Sequence, residues 1–197
     1  MDAPFLGGHP AVDFLNTRFT PDDGAVEAIG DGKAFVDWLV VAELLDETTA
    51  SSLVRRFGVK ALDAAAEEAR RFRERTRAWL ARWRDVPEDD YRAEVRALNK
   101  LLERLAVRWE VVDGSGMTLV QRPCIETAEA LVGLVAAQVA ALIAHEDPAL
   151  LKECAGSGCS LWFLDRTKAH RRKFCTAAVC GNRAKVSAFR ERQRAGS

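Results

Sequence analysis

Long apolar runs, catalytic signatures and net charge are what this sequence lacks. The longest apolar stretch, Ala130 to Ala144, is interrupted by Gly133 and Gln138. It falls short of the roughly 18 to 20 residues that a membrane-spanning helix needs. No basic n-region opens the chain, where Asp2 and Pro4 stand instead, and no apolar core follows. A soluble cytoplasmic protein without a secretory leader is therefore expected. There is no His-Glu-x-x-His, no phosphate loop and no Gly-x-Ser-x-Gly. The three histidines, His9, His145 and His170, are scattered, and only His9 lies beside a polar cluster. These absences argue against an enzyme. Repeats and low-complexity segments are missing too. What remains is a chain of 197 residues with a hydrophobic fraction of 48%, enough for one globular domain plus a small module.

The zero net charge conceals a division. Residues 151–197 carry eleven Lys or Arg against three acids, a net of +8, so residues 1–150 carry −8. A basic module for a polyanion, joined to a body that need not touch it, is the reading this favours over a merely solvated tail.

Within the body, the segment Leu6 to Arg18 opens on turn residues and becomes apolar, as a short helix or extended piece packed on the core would. Phe35, Trp38, Leu39, Ala42 and Leu45 recur at helical spacing, giving a helix from Lys33 to about Glu47. A short helix follows Thr49 and ends near Gly58. Leu62, Ala65, Ala69, Phe72, Thr76, Trp79 and Trp83 form one stripe of a long helix that Val86-Pro87 breaks. Tyr91, Val95, Leu98, Leu102 and Leu105 repeat the stepping, so the two helices should pair antiparallel. Seven arginines between 70 and 84 decorate the first, accompanied by Glu67, Glu68 and Glu74, and an exposed face with local ion pairs is expected there. Val107–Val112 and Met117–Arg122 flank Asp113-Gly114-Ser115-Gly116, a hairpin signal. Thr127 to His145 reads as a helix apolar nearly all round and hence central. The predicted fold class is mainly α with a small β-hairpin (α+β): a helical domain over 1–150 and a four-cysteine module over 151–197.

Cys154-x4-Cys159 and Cys175-x4-Cys180 are separated by fifteen residues. Two cysteine pairs at this distance are the arrangement of a four-thiolate zinc knuckle site. Soft thiolates in a tetrahedron select one Zn²⁺, and four protein ligands leave no place for water, so the ion is structural. It replaces the core that a module of about forty residues cannot build alone. An iron–sulfur centre is the rival metal and two disulfides the rival bonding. His170 is a lesser candidate ligand. Cys124, after Pro123, is expected as a small core residue.

Leu161-Trp162-Phe163-Leu164 follows the second cysteine and should pack the module. Arg171, Arg172 and Lys173 belong to a basic loop before the third. Beyond Cys180 the chain reads as a helix on which Arg183, Ser187, Arg190 and Arg194 fall within an arc of roughly 60°, with Lys185 nearby. Val186 and Phe189 are expected to dock this helix against Trp162 or Phe163, and Asn182 to lie on the same inner strip. The arginines would then face outward to grip phosphates and base edges. For Arg183, nucleic-acid contact competes with a bond to the knuckle.

The tetrapeptide Cys180-Gly181-Asn182-Arg183, with Trp162-Phe-Leu-Asp-Arg166, the basic stretch before Cys175 and Ala184-Lys-Val186, resembles the CGNR zinc-finger family over residues 153–194. The segment Gly7-Gly-His-Pro-Ala-Val-Asp-Phe-Leu-Asn-Thr17, followed by Asp37-Trp38-Leu39, resembles the ABATE domain that precedes this finger in bacteria. The resemblance implies a transcription regulator with zinc on Cys154, Cys159, Cys175 and Cys180. It also implies nucleic-acid contact, duplex DNA foremost, and a sensing or ligand-binding role for residues 1–150. Asp13, Asn16, Thr17 and Arg18 are candidates to line a small-molecule effector site, against a plain capping or anchoring role. A homodimer is expected because a single finger offers little specificity. RNA or ribosome binding by the same surface is the alternative, although the lack of an evident exposed aromatic platform for stacking argues for duplex DNA. A protein-interaction module is a further one, disfavoured by the +8 charge.

Overall fold

The computed structural model of the chain describes residues 3–20, 24–114 and 116–195. Asp2 of the expected non-leader start and Ser115 of the expected hairpin turn lie outside them.

The chain opens with helix α1 (Pro10–Leu15), capped where Ala11 N–H donates to His9 Nδ1 at 3.1 Å, with Pro10 in the first turn. Ala11, Val12, Phe14 and Leu15 are fully buried. A minimal ladder of β1 (Arg18–Phe19) and β2 (Val26–Glu27) follows. Helix α2 (Gly32–Val41) begins at an Asp31 cap. It stops well before residue 47 because Glu43 takes a left-handed conformation, φ 59°, which no helix can continue. Helix α3 (Glu47–Asp85) is broken at Gly58, whose φ of 72° and ψ of 169° separate two straight pieces. α2 and α3 touch backbone to backbone: a Cβ on Gly32 would lie 2.3 Å from the Leu62 carbonyl carbon. Helix α4 (Arg92–Leu102) returns along the second piece of α3, Trp79 stacking at a tilt on Tyr91.

Strands β3 (Ala106–Asp113) and β4 (Met117–Cys124) pair antiparallel along their length. The hairpin stands out from the body, almost wholly exposed. Cys124, at its base, is half-buried. Helix α5 (Ala130–His145) runs through the centre, buried on most sides over its first half. Its Gly133 lets α4 approach, since a Cβ there would meet the Leu101 carbonyl oxygen at 3.2 Å.

A single 3₁₀ turn (Pro148–Leu150) leads to β5 (Leu151–Glu153) and its antiparallel partner β6 (Trp162–Leu164). The cysteine module is not tethered by a linker. Leu151, Trp162 and Leu164 lie in the main core with α1, α3 and α5. Phe163 packs instead with Phe19 and the cysteines in a second cluster. A π-helical turn (Ala177–Gly181) then opens helix α6 (Asn182–Ala195). The architecture is the expected one, helical with small two-stranded sheets and a C-terminal four-cysteine cluster. No described helix is long and apolar enough to cross a membrane.

The arginine face of α3 needs one correction. Most of it is paired outside, as expected, but Arg73 is 1% exposed. It reaches Glu27 with Nη1 at 2.7 Å and Nη2 at 2.5 Å, and Thr17 Oγ1 at 2.8 Å. A guanidinium buried in this way is fully partnered, as its desolvation demands.

Candidate metal centre and nucleic-acid interface

Cys154, Cys159, Cys175 and Cys180 converge, their sulfurs all within 4.8 Å of one another. Cys159 Sγ is 3.8 Å from Cys175 Sγ, which is 3.6 Å from Cys180 Sγ. Four sulfurs at the usual Zn–S distance of about 2.3 Å around a tetrahedral ion stand about 3.8 Å apart, and a disulfide would bring two to about 2.05 Å. The spacing fits one zinc and no disulfide. His170 takes no part: its Nδ1 faces the Asp165 carbonyl at 2.9 Å.

The sequence builds this centre locally. Gly156 is required, since its Cβ would fall 3.0 Å from Cys180 Sγ, and Gly158 turns the first knuckle at φ 73°. Backbone N–H groups of Cys175 (3.2 Å) and Gly156 (3.4 Å) donate to Cys154 Sγ. Arg183 Nη2 donates to Cys180 Sγ at 3.4 Å. Such bonds orient and tune the thiolate ligands. Burial and the neighbouring thiols push Cys159 up to about 11 and Cys175 higher still. Burial also opposes ionisation of Cys154, but the two N–H donors outweigh it and hold that thiol below its ordinary value. Thiols crowded in this way ionise together only around a cation, so the donor set calls for a dication and supplies a closed, structural shell.

The basic loop is organised by Asp165, which is fully buried. It accepts from Lys152 Nζ (2.6 Å), Thr167 Oγ1 (2.6 Å) and the Arg172 N–H (2.8 Å). Burial alone would raise its pKa, but these donors hold the carboxylate well below the usual range.

The expected contact residues divide. Arg172 is structural: its guanidinium lies 4.1 Å over the Phe163 ring and donates to the carbonyls of Phe174 and Cys175. Arg183 sits on the metal centre. Arg171, Lys173, Lys185, Arg190 and Arg194 are exposed. Among the described residues none of these five has a carboxylate within ion-pair distance, and the same holds for Lys168 of the basic loop and Arg192 of α6.

The expected docking of α6 does not occur. Val186 and Phe189 are 40% and 56% exposed, Asn182 is exposed as well, and the helix packs chiefly on the π-helical turn before it. Trp162 and Phe163 are already covered by the body, by Arg84 at 5.2 Å over the indole and by Arg172.

The cluster at residues 13–18 is spent internally. Asn16 is fully buried: its Nδ2 donates to the Trp162 carbonyl at 2.9 Å and its Oδ1 accepts the Trp162 N–H at 2.8 Å. Thr17 Oγ1 donates to the Phe14 carbonyl at 2.7 Å. Asp13 accepts the Gly7 N–H at 2.7 Å, and Gly7 in turn accepts from Leu164 N. Arg18 is exposed, 3.6 Å from Glu74. The opening motif is thus the seat on which β6 is docked, joined at the rim by Arg84–Glu153 and Arg166–Glu146 ion pairs. Elsewhere, Thr76 Oγ1 and Trp79 Nε1, both buried and without a partner among the described residues, line a cavity of about 70 Å³ between α3 and α4, room for a water or two.

A helical body on which a closed four-thiolate centre holds out a basic helix defines a zinc-finger protein. Residues 151–193 match the CGNR zinc finger, and residues 8–146 match ABATE, described as "Putative stress-induced transcription regulator". The chain belongs to the ABATE family and carries a CGNR zinc finger with one structural zinc site. Neither is an enzyme family. No curated protein matches the sequence.

Proposed function

We propose that this chain is a DNA-binding transcription regulator whose zinc centre anchors α6 for entry into the major groove. The contrast between its two sets of cations carries the reading. On α3, the arginines from 70 to 84, Arg75 apart, are held by carboxylates or carbonyls. On the module, Arg171, Lys173, Lys185, Arg190, Arg192 and Arg194 are free of ion pairs among the described residues, so their partner is to come from outside. Phosphates supply it, and the open face of α6 leaves side chains for base edges. Effector sensing by residues 1–150, cytoplasmic location and a homodimer presenting two fingers to paired half-sites belong to the same proposal.

RNA is the second reading, favoured by one observation: Phe189, expected to be covered, is exposed among the cations and offers a stacking face. Purified protein is to be challenged with sheared genomic DNA, bound fragments sequenced, and structured RNA added as competitor. Enrichment of particular duplex sequences that RNA does not displace supports the first reading. Displacement by RNA at equal concentration supports the second.

A further inference from the structure

We propose that the exposed edge of β3 is a homodimer interface, on which two copies join their hairpins into one four-stranded antiparallel sheet about a two-fold axis at Trp109. It names a surface for the homodimer of the reading above, but it rests on the hairpin alone and not on DNA binding.

An isolated two-stranded hairpin is marginal in water, and it needs further strands or a covered apolar face to be stable. Here both strands are eight residues long. The register sets Val107, Trp109, Val111, Met117 and Leu119 on one face. They are 47%, 61%, 65%, 76% and 60% exposed. Together they present roughly 600 Å² of apolar surface, at the upper limit for a monomer.

The two edges are not equivalent. β4 contains Pro123, which has no N–H to donate, and it starts beside Gly116. Such an edge is blunted. β3, Ala106-Val-Arg-Trp-Glu-Val-Val-Asp113, has neither proline nor glycine.

The β3 sequence is also complementary to its own reverse. Antiparallel self-pairing about Trp109 sets Val107 against Val111, Ala106 against Val112, and Arg108 against Glu110 of the second copy, each pair occurring twice. The like-charge contact inside the hairpin makes this match consequential. Arg108 lies directly opposite Arg122 across β3–β4, which is unfavourable. Glu110 leans to Arg122 at 3.3 Å, and among the described residues Arg108 has no carboxylate within ion-pair distance. The second copy supplies one. The contact is isologous and closes at two chains.

The test measures the mass of the full-length protein in solution by sedimentation velocity at micromolar concentration. Wild type is expected as a dimer. Arg108→Glu opposes two carboxylates and Glu110→Arg opposes two guanidinium groups, so each alone is expected to weaken the dimer at least about ten-fold. Mixing the two variants is expected to form a heterodimer, and the double variant R108E/E110R to dimerise again. Because the variants rescue one another, misfolding cannot imitate this pattern. A monomeric wild type, a dimer unmoved by the single changes, or single variants that stay monomeric when mixed would each overturn the proposal.

Discussion

The side-chain amide of Asn16 pairs with both backbone groups of Trp162, at 2.9 and 2.8 Å, across 146 residues of chain. It acts as one residue of a β-ladder, and it is how the body holds the zinc module. Asn16→Ala leaves a buried N–H and a buried carbonyl without partners. Each costs about 1–3 kcal/mol, so a loss of about 3 kcal/mol is expected in denaturant unfolding. Asn16→Asp is expected to cost at least as much, because it keeps the acceptor, loses the donor and buries a charge.

Zinc removal is expected to reach beyond the finger. Leu151, Trp162 and Leu164 belong to the main core, so loss of the metal frees strands on which α1 packs. Metal analysis should give one zinc per chain. Strong chelation should abolish module structure and also lower the melting temperature of the body. An unchanged body transition would mean that the two parts are energetically separate.

The Arg73–Glu27 pair joins a buried guanidinium to a partly exposed carboxylate. Without Glu27, Arg73 keeps Glu74 at 2.9 Å but loses its bidentate partner, at a cost of about 1–3 kcal/mol. Glu27→Gln is expected to destabilise by that order, read from the urea midpoint. The Arg73→Met/Glu27→Met double variant is expected to cost less than the two single changes combined.

Asp13 gives the body a pH dependence of definite sign. Burial raises its carboxyl from 3.8 to about 6, against the lowering by the N–H groups of Gly7 and Leu6. The folded state therefore holds its proton more tightly than the unfolded one. The stabilisation is complete below pH 3.8 and fades as pH rises through about 6, a change of up to about 3 kcal/mol. Asp13→Asn, which retains an acceptor for Gly7, should flatten stability across that window. Parallel slopes for both proteins would contradict the assignment.

What was legible in the sequence was what depends on near neighbours. The zinc ligands follow from spacing and thiol chemistry, the helix stripes from periodicity, and the hairpin from its turn. The rest depends on partners distant along the chain. Arg73 looks like any surface arginine until Glu27, 46 residues away, is placed beside it. Val186 and Phe189 have the spacing of a docking stripe, yet Trp162 and Phe163 were already covered by the body and by Arg172. Asn16 reads as an anchor or as a ligand-site residue alike, because nothing in the local sequence reveals that its amide faces a strand 146 residues on. Apolar periodicity continues through the left-handed turn at Glu43 and so hides the end of α2.

The claim at the centre is that the free cations of the module grip a polyanion, and the salt dependence of duplex DNA binding measures it most directly. Fluorescence anisotropy over a range of salt concentrations should show wild-type affinity falling steeply, by about 0.9 in log–log slope per phosphate contact. The Arg190→Ala/Arg194→Ala variant should bind more weakly and with a slope shallower by about two. Affinity indifferent to salt, or a variant with the wild-type slope, would contradict the role given to α6.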